Sequence, residues 1–597
     1  MKIFTRAAAA VSAAVLTAVI AAPAMTAEQT ADMTASAVDT NNDDWLHAKG
    51  SRLYDMNGNE VWLTGANWFG YNCTECVPHY LWSGDVDDLV RSIADRGMNV
   101  IRFPVSTELL YNWMIGDPDP IGSVNPNNDP AYCINEEFIN PDGSIMNSQE
   151  TFNVILAKCK EYGLKAFIDI HSPESNNAGH NYGLWYGKSF TGRDGKEITV
   201  DTDLWIETLA WAADYYKNDD TLIGFDLKNE PHSTYGGAPV DAIWDTSNAE
   251  NNWRKAAEDC ANAILGKNPN ALILVEGVEG YGGHGAWWGG NLRGVADCPV
   301  VPESGTSQIV YSPHDYGPIV SAQTWFEKDF TEQTLLDDYW YDTWAYIVDK
   351  DMHPLLIGEW GGRMDGGDNE KWMRLLRDYM IKNHINHTFW CLNDDSGDTG
   401  GLWKSIQFQG MDNTTVIEWD EEKYELFEPS LWQTLESGKF IGLDHQTALG
   451  ANGLSLNQFY ADYASTEGSN IDGGTKSGGT PVVTGPAVTT EAQNQTTTAA
   501  KTEQTKPSTT VTTAAVSSDH IGGDLLYGDA NCDNTVDIAD ATKILQYIGN
   551  GDKYTLSAEG ELLADCYDPG SGITAMDALA VQKFDAKVIK DLPELVK

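Results

Sequence analysis

Eight short apolar runs, most of them ending in polar or charged residues, recur along the first two thirds of the chain: VWLTGANW at 61–68, NVIRFP at 99–104, KAFIDIH at 165–171, LIGFDLKNE at 222–230, ALILVEG at 271–277, IVYSPHDY at 309–316, PLLIGEW at 354–360 and NHTFWCLN at 386–393. Runs of this length with little alternation suit strands covered on both faces, as parallel strands are. Helix-like stretches separate several of them, such as DVDDLVRSIADRG at 85–97 and SQETFNVILAKCKEYG at 148–163. Eight buried strands alternating with helices favour an α/β fold of the (β/α)8 barrel type. A doubly wound open sheet is the alternative, but no G-x-G-x-x-G turn follows the first strand. In a barrel the chemistry gathers at the C-terminal ends of the strands. Arg102, His171, Asn229, Glu230, His314, Tyr316, Glu359 and Trp390 fall there.

A carboxylate at the end of an apolar strand is costly unless it is paired or functional, because its charged form loses hydration. Two such residues stand out, Glu230 and Glu359, on the fourth and seventh candidate strands. Facing carboxylates suit glycosidic cleavage: one protonates the leaving oxygen and the other attacks the anomeric carbon. The competing reading of either one is an ion pair with a Lys or Arg at the barrel mouth. Arg102 is placed to orient the attacking carboxylate and Asn229 to bond a sugar hydroxyl, while His171, His314 and Tyr316 supply hydrogen bonds around the same subsite. With 21 Trp and 25 Tyr the chain holds more large aromatics than packing needs. Sugar rings present an apolar face that stacks on indole, and Trp68, Trp185, Trp287, Trp288 and Trp390 stand at strand ends or in loops. Trp205, Trp211 and Trp372, within helix-like stretches, are expected in the core.

The balance of 38 Lys plus Arg against 88 Asp plus Glu, a net charge of −50, disfavours nucleic acid or an anionic membrane as a partner. Lys2 and Arg6 precede an apolar run from Ala7 to Ala22, and Ala22-Pro23-Ala24 offers small residues to a signal peptidase, so residues 1–24 are expected to be a leader and the mature protein to be secreted and extracellular, with no membrane insertion. Nine cysteines are an odd number for a secreted chain, so at least one stays unpaired or pairs externally. Cys73 and Cys76 could close a small loop, whereas a C-x-x-C zinc knuckle needs a second ligand pair that does not follow at suitable spacing. Residues 25–42 are a polar, flexible entry segment, 43–464 the large domain, 465–523 a Thr-rich linker and 524–597 a small C-terminal module.

The ordered set LTGANWFGYN, IRFPVS, GFDLKNEPH, VYSPHDY, IGEWGG and TFWCLNDDSGDTGG closely resembles glycoside hydrolase family 5, in particular its bacterial endoglucanases, over roughly residues 45–440. The resemblance implies a retaining endo-1,4-β-glucanase acting on cellulose without a catalytic cofactor, with Glu230 as acid/base and Glu359 as nucleophile. It also implies that Arg102, His171, Asn229, His314 and Tyr316 support the subsite beside the scissile bond and that Trp390 stacks beneath it. Trp360 stands where Phe is usual after the nucleophile, and N-C-T-E-C at 72–76 replaces the family's usual residues. Xyloglucan, mixed-linkage glucan or mannan are alternative substrates for the same machinery, and a non-catalytic glycan-binding component is the reading from another class.

In the C-terminal module Asp529, Asn531, Asp533, Asp537 and Asp540 occupy positions 1, 3, 5, 9 and 12 of a loop, with the Thr535 backbone at 7, the spacing by which an EF-hand loop wraps Ca²⁺. A second loop runs from Asp565 through Asp568 and Thr574 to Asp577, one residue longer, and a helix-like stretch follows each. The duplicated loop and helix resembles a dockerin, the all-α module that docks secreted enzymes onto a cohesin domain of a cellulosome scaffoldin. Calcium would then be structural, with ligand carboxylates that repel one another in its absence.

Overall fold

The computed structural model describes residues 42–122, 133–406 and 416–471, and in the C-terminal part 526–532, 535–536, 538–549, 555–567, 573, 575–585 and 592. The expected leader, most of the entry segment and most of the linker lie outside them. The chain divides into two compact units, 1–488 and 489–597.

In the first unit the apolar runs form eight parallel strands, β1 (Thr64–Asn67), β2 (Val100–Ser106), β3 (Lys165–Ser172), β4 (Leu222–Asp226), β5 (Leu272–Val275), β6 (Ile309–Tyr311), β7 (Leu356–Ile357) and β8 (Asn386–Phe389). Neighbours pair in the order β6-β5-β4-β3-β2-β1-β8-β7. Isolated parallel bridges Tyr311–Leu355 and His314–Glu359 join β6 to β7, so the sheet nearly closes into a (β/α)8 barrel. Each strand is buried along its described length, as runs without alternation require.

The helix Val86–Asp95 starts where Asp85 accepts the backbone N–H groups of Asp87 and Asp88, and it buries Val86, Leu89, Val90, Ile93 and Ala94 against the barrel. Ser148–Glu161 opens on a capping box, with Asn147 and Glu150 satisfying each other's backbone N–H groups. Between β5 and β6 a 3-10 turn, Arg293–Ala296, stands in place of the expected helix. Beneath the barrel a three-stranded antiparallel sheet (Leu46–Lys49, Arg52–Asp55, Glu60–Val61) brings Leu46, Leu53 and Val61 against Phe167, Ile223, Leu272 and Leu356, sealing its lower end. The large domain extends past residue 464: Thr434 bridges Ser469, and Ile471 is buried in that lower cluster. Composition alone assigned 465–471 to the linker because its small and polar residues conceal one buried isoleucine.

In the second unit, helices Ile538–Gly549 and Ala575–Asp585 pack through Ala541, Ile544, Ala578, Ala580 and Val581, and a third helix, Ala558–Ala564, lies between them in the chain. Among the described residues no helix is long and apolar enough to cross a membrane.

Candidate active site

The strands' C-terminal ends converge on Arg102, which β2 carries into the barrel with no exposed surface. Its Nη1 donates to Glu359 Oε1 at 2.8 Å and to Asn67 Oδ1 at 2.9 Å, and its Nε donates to Asp226 Oδ2 at 3.0 Å. Nη2 reaches Asn229 Oδ1 at 3.2 Å, Glu276 Oε1 at 3.3 Å and Asp169 Oδ1 at 3.1 Å. Four carboxylates therefore meet on Arg102, Glu359 and three that were not expected, while Glu230 lies beyond them on His314. The cost of a desolvated strand-end acid, which singled out Glu230 and Glu359, applies equally to Asp169 in KAFIDIH, Asp226 in LIGFDLKNE and Glu276 in ALILVEG. Asn67, at the end of β1, gave no such signal.

Burial pushes Asp169 and Asp226 up to about 7 and Glu276 up to about 8, with Arg102 pulling against it in each case. Glu359 goes the other way. Burial would raise it as well, but His314, Arg102 and the Tyr316 hydroxyl outweigh burial and lower it to about 2. Tyr316 donates to Glu359 Oε2 at 2.7 Å. Glu359 is thus fixed as a carboxylate with both oxygens engaged.

His314 sits among three acids. Its Nδ1 donates to Glu230 Oε1 at 3.0 Å and lies 3.5 Å from Glu359 Oε2, while Nε2 lies 3.2 Å from Glu276 Oε1. Burial opposes its charge, yet Glu276 and Glu359 outweigh burial and hold the ring well above the usual histidine range. The ring spans the two candidate catalytic groups: one oxygen of Glu230, one of Glu359 and a His314 nitrogen all lie within 4.8 Å of one another.

Glu230 itself has φ +50°, a left-handed conformation that costs a non-glycine residue about 1–3 kcal/mol and that surrounding structure must hold. Glu276 Oε2 accepts its backbone N–H at 2.7 Å and anchors that turn. Asn229 turns its Oδ1 to Arg102, which leaves a buried Nδ2 with no hydrogen-bond partner among the described residues. His171 bonds Asp169 Oδ2 through Nδ1 at 2.7 Å, and burial holds it well below its usual range as a neutral ring. Lys228, also buried, is pushed down to about 8 by burial and bonds the Asn229 carbonyl.

Trp390 is half-buried and lies parallel to both Phe69 (5.4 Å, 9°) and His171 (5.5 Å, 3°), with its Nε1 donating to Ser396 Oγ at 3.0 Å. Trp288 is half-buried with His232 stacked on it at 3.9 Å. Trp68 requires a correction. Its ring is fully buried, Nε1 donates to the His79 carbonyl at 3.0 Å, and Trp403 meets it edge-on at 5.3 Å. It presents no face to a sugar because β1 points it outward into the barrel–helix layer. Trp185 is likewise core, packed between Trp205 and Trp253. Trp360 fits in place of the family's Phe, its Nε1 bonded to His387 Nδ1 at 3.2 Å.

In the C-terminal unit, Asp529, Asp540 and Asp577 are buried, and the two loops share one device. Asp540 Oδ1 accepts the backbone N–H of Asn531 at 3.0 Å, and Asp577 Oδ1 accepts that of Tyr567 at 2.7 Å. Each loop thus folds its last carboxylate back onto its third residue, although Asp577 stands one position later. Thr535 and Asp565 are also described, while Asp533, Asp537, Asp568 and Thr574 lie outside the described residues.

Comparison with known proteins agrees with this geometry. The model of the family described as Cellulase (glycosyl hydrolase family 5) matches residues 54–396. Endoglucanase G of Acetivibrio thermocellus is 58% identical over 454 residues, covering 71% of this chain and 78% of that protein. Endoglucanase B of the same organism is 43% identical over 455 residues, covering 70% and 77%. A solved complex of an endocellulase from Pyrococcus horikoshii with cellotetraose superposes with a TM-score of 0.53 at 31% identity, covering 65% of this chain and 98% of that one.

Proposed function

The chain belongs to glycosyl hydrolase family 5 and is an endo-1,4-β-glucanase, and from that premise we propose that it cleaves cellulose with retention, using Glu359 as nucleophile and Glu230 as acid/base. The observation that carries the proposal is the approach of the two carboxylates to within 4.8 Å across His314. Retaining enzymes hold their carboxyl groups about 5–5.5 Å apart, whereas inverting ones leave about 6.5–9.5 Å for a water.

Glu359, kept anionic by Arg102 and Tyr316, attacks the anomeric carbon as the C–O bond to the leaving glucan breaks and Glu230 gives its proton to the departing oxygen. Water then attacks the anomeric carbon, Glu230 takes its proton, and the ester bond to Glu359 breaks to restore the carboxylate. The unpartnered Asn229 Nδ2 would bond the 2-hydroxyl, where such bonds strengthen in the transition state. Trp390 and Trp288 would form stacking platforms.

The test is reducing-sugar release from carboxymethyl cellulose, lichenan, xyloglucan, xylan and mannan side by side, with NMR on the first product anomer and Glu359→Gln as control. Strongest release from carboxymethyl cellulose, β-anomer first, and loss in the control are expected. An α-anomer appearing first would sink retention. Preference for mannan or xylan would replace the substrate, and no release from any of them would leave a glycan-binding component.

We also propose that the protein is secreted, as its basic and apolar leader supports, and that the C-terminal unit is a dockerin binding a cohesin of a cellulosome scaffoldin. The buried, back-folded Asp540 and Asp577 suit a calcium ion in each loop, with Asp529, Asn531 and Thr535 beside the first and Asp565 beside the second. Bound calcium would supply the charge that lets these acids share a loop. Chelation is expected to abolish cohesin binding and spare hydrolysis; loss of both would refute separate modules.

A further inference from the structure

The N-C-T-E-C segment, where the chain departs from its family, folds into the loop after β1. There three donor atoms converge: Cys73 Sγ, a carboxylate oxygen of Glu75 and an imidazole nitrogen of His79 all lie within 4.8 Å of one another. Cys73 is 3% exposed and His79 6% exposed. His79 faces a carboxylate on each side. Its Nδ1 is 2.5 Å from Asp395 Oδ2, in the loop after β8, whereas its buried Nε2 makes no hydrogen bond among the described residues and pairs with Glu75 Oε2 at the longer distance of 3.6 Å. Cys76 does not join them, since its Sγ turns to the carbonyls of Cys73 and Thr74 at 3.6 and 3.8 Å.

We propose that Cys73, Glu75 and His79 bind a zinc ion, with water as the fourth ligand. One thiolate, one carboxylate and one imidazole form a mixed S, O, N set that suits this borderline-soft ion. With bonds of about 2.1 Å to nitrogen and oxygen, tetrahedral geometry sets those two ligands about 3.4 Å apart, close to the separation found here. Asp395 plays the part that an outer carboxylate plays for a metal-bound histidine: it fixes the proton on Nδ1 and turns the Nε2 lone pair toward the site. Zinc binding would release the protons carried by Cys73 Sγ and by His79 Nε2. The set does not need a second C-x-x-C pair, because the partners of Cys73 lie two and six residues onward.

The site's place gives it a role. His79 meets Phe69 edge-on at 4.9 Å, and Phe69 stacks on Trp390. An ion here would lock the β1 loop to the β8 loop behind the aromatic wall of the cleft, without touching the reacting carboxylates.

The experiment uses the full chain, stripped of transition metals, kept in calcium and titrated with Co²⁺. One cobalt per chain is expected, with a near-ultraviolet thiolate-to-cobalt band and the visible bands of a tetrahedral site, both bleached stoichiometrically by Zn²⁺. Cys73→Ser and His79→Asn should abolish the thiolate band, Asp395→Asn should weaken cobalt binding about 10–100-fold, and Cys76→Ser and Cys298→Ser should leave it intact. Circular dichroism identifies variants that remain folded, and should His79→Asn not fold, Cys73→Ser alone decides. A wild-type chain with no thiolate band, a band that survives Cys73→Ser, or a purified protein with Cys73 and Cys76 joined as a disulfide would each overturn the site.

Discussion

The two mouths of the barrel both bury charge, and they resolve most of it in different ways. At the C-terminal mouth Arg102 faces Asp169, Asp226, Glu276 and Glu359, and burial wins for three of these acids, which rise toward neutrality. At the floor Lys165 lies 2.5 Å from Asp44 and within 3.6 Å of Asp220 and Asp444, while His445 bridges Asp44 at 2.5 Å and Asp55 at 3.0 Å. There pairing wins for the bridging groups: Asp44 and Asp55 are lowered despite burial, and His445 is raised to about 10. The floor network stitches five remote stretches together, the entry around Asp44, the antiparallel sheet at Asp55, the start of β3, the turn at Asp220 before β4 and the segment at Asp444 and His445. The upper network keeps an excess of acid in one place. Paired charge serves the fold, and an excess of acid held by Arg102 and His314 serves the chemistry.

The sharpest way to break that contrast is to remove one charge from each mouth. Glu230→Gln should lower turnover on cellulosic substrates by about 10²–10⁴-fold. It should lower turnover far less on an aryl glycoside whose leaving group needs no proton, with little change in stability. Lys165→Met takes the cation from buried Asp220 and Asp444, leaves Asp44 to His445 alone, and should cost about 3–5 kcal/mol of stability, while the folded fraction keeps its specific activity. Denaturant titration and initial rates on both variants check this. Equal loss on both substrates would remove Glu230 from the acid role, and an unchanged midpoint in Lys165→Met would mean the floor is not a clasp.

The mouths also separate by pH. A group raised on folding contributes stability that is fully present below its unfolded value and lost as pH rises through the folded one. For His445 that window runs from 6.5 to about 10. The upper acids obey the same sign in a lower window, from 3.8 to about 7 for Asp169 and Asp226. Lowered Asp44 and Asp55 give the reverse, a contribution lost as pH falls below the ordinary carboxylate range. The denaturation midpoint is therefore expected to decline between pH 6.5 and 10, with a shallower decline in His445→Asn. An identical slope in wild type and variant would discard the floor network as its source.

How much of this was legible in the sequence depends on what each inference needed. The eight strands were, because a strand covered on both faces must be apolar along its length, and all eight runs became strands. Glu230 and Glu359 stood out because a strand-end acid is costly to desolvate, and the structure brings both of them to His314. The rule stopped short at Asp169, Asp226 and Glu276, whose shared partner Arg102 is seen only when strands far apart in sequence close into a ring. Cys73, Glu75 and His79 were hidden for a related reason: loop geometry, not spacing, brings their donors together. Trp68 was misplaced because the side to which a strand-end residue points is set by the register of β1, and the number of aromatics says nothing about register. The boundary at 464 failed on Ile471, a single apolar residue that packs beneath the barrel.

The smallest expected effect sharpens the comparison between cleft and core within one residue type. Trp288 is half-buried with one face on His232, and Trp68 is fully enclosed. If indole faces at the C-terminal mouth bind sugar, Trp288→Ala should lower kcat/KM on cellulose by an amount set by one stacking contact, about 0.5–1.5 kcal/mol or roughly 2- to 10-fold. Its melting temperature should barely move. Trp68→Ala instead opens a cavity among Phe103 and Trp403 and should cost about 3–5 kcal/mol of stability. Initial rates and thermal melts on the two variants separate the roles, since the same chemical deletion is read out as affinity at one site and as stability at the other. A Trp288→Ala protein that melts early yet binds glucan normally would place that ring in the core and leave Trp390 as the platform of the cleft.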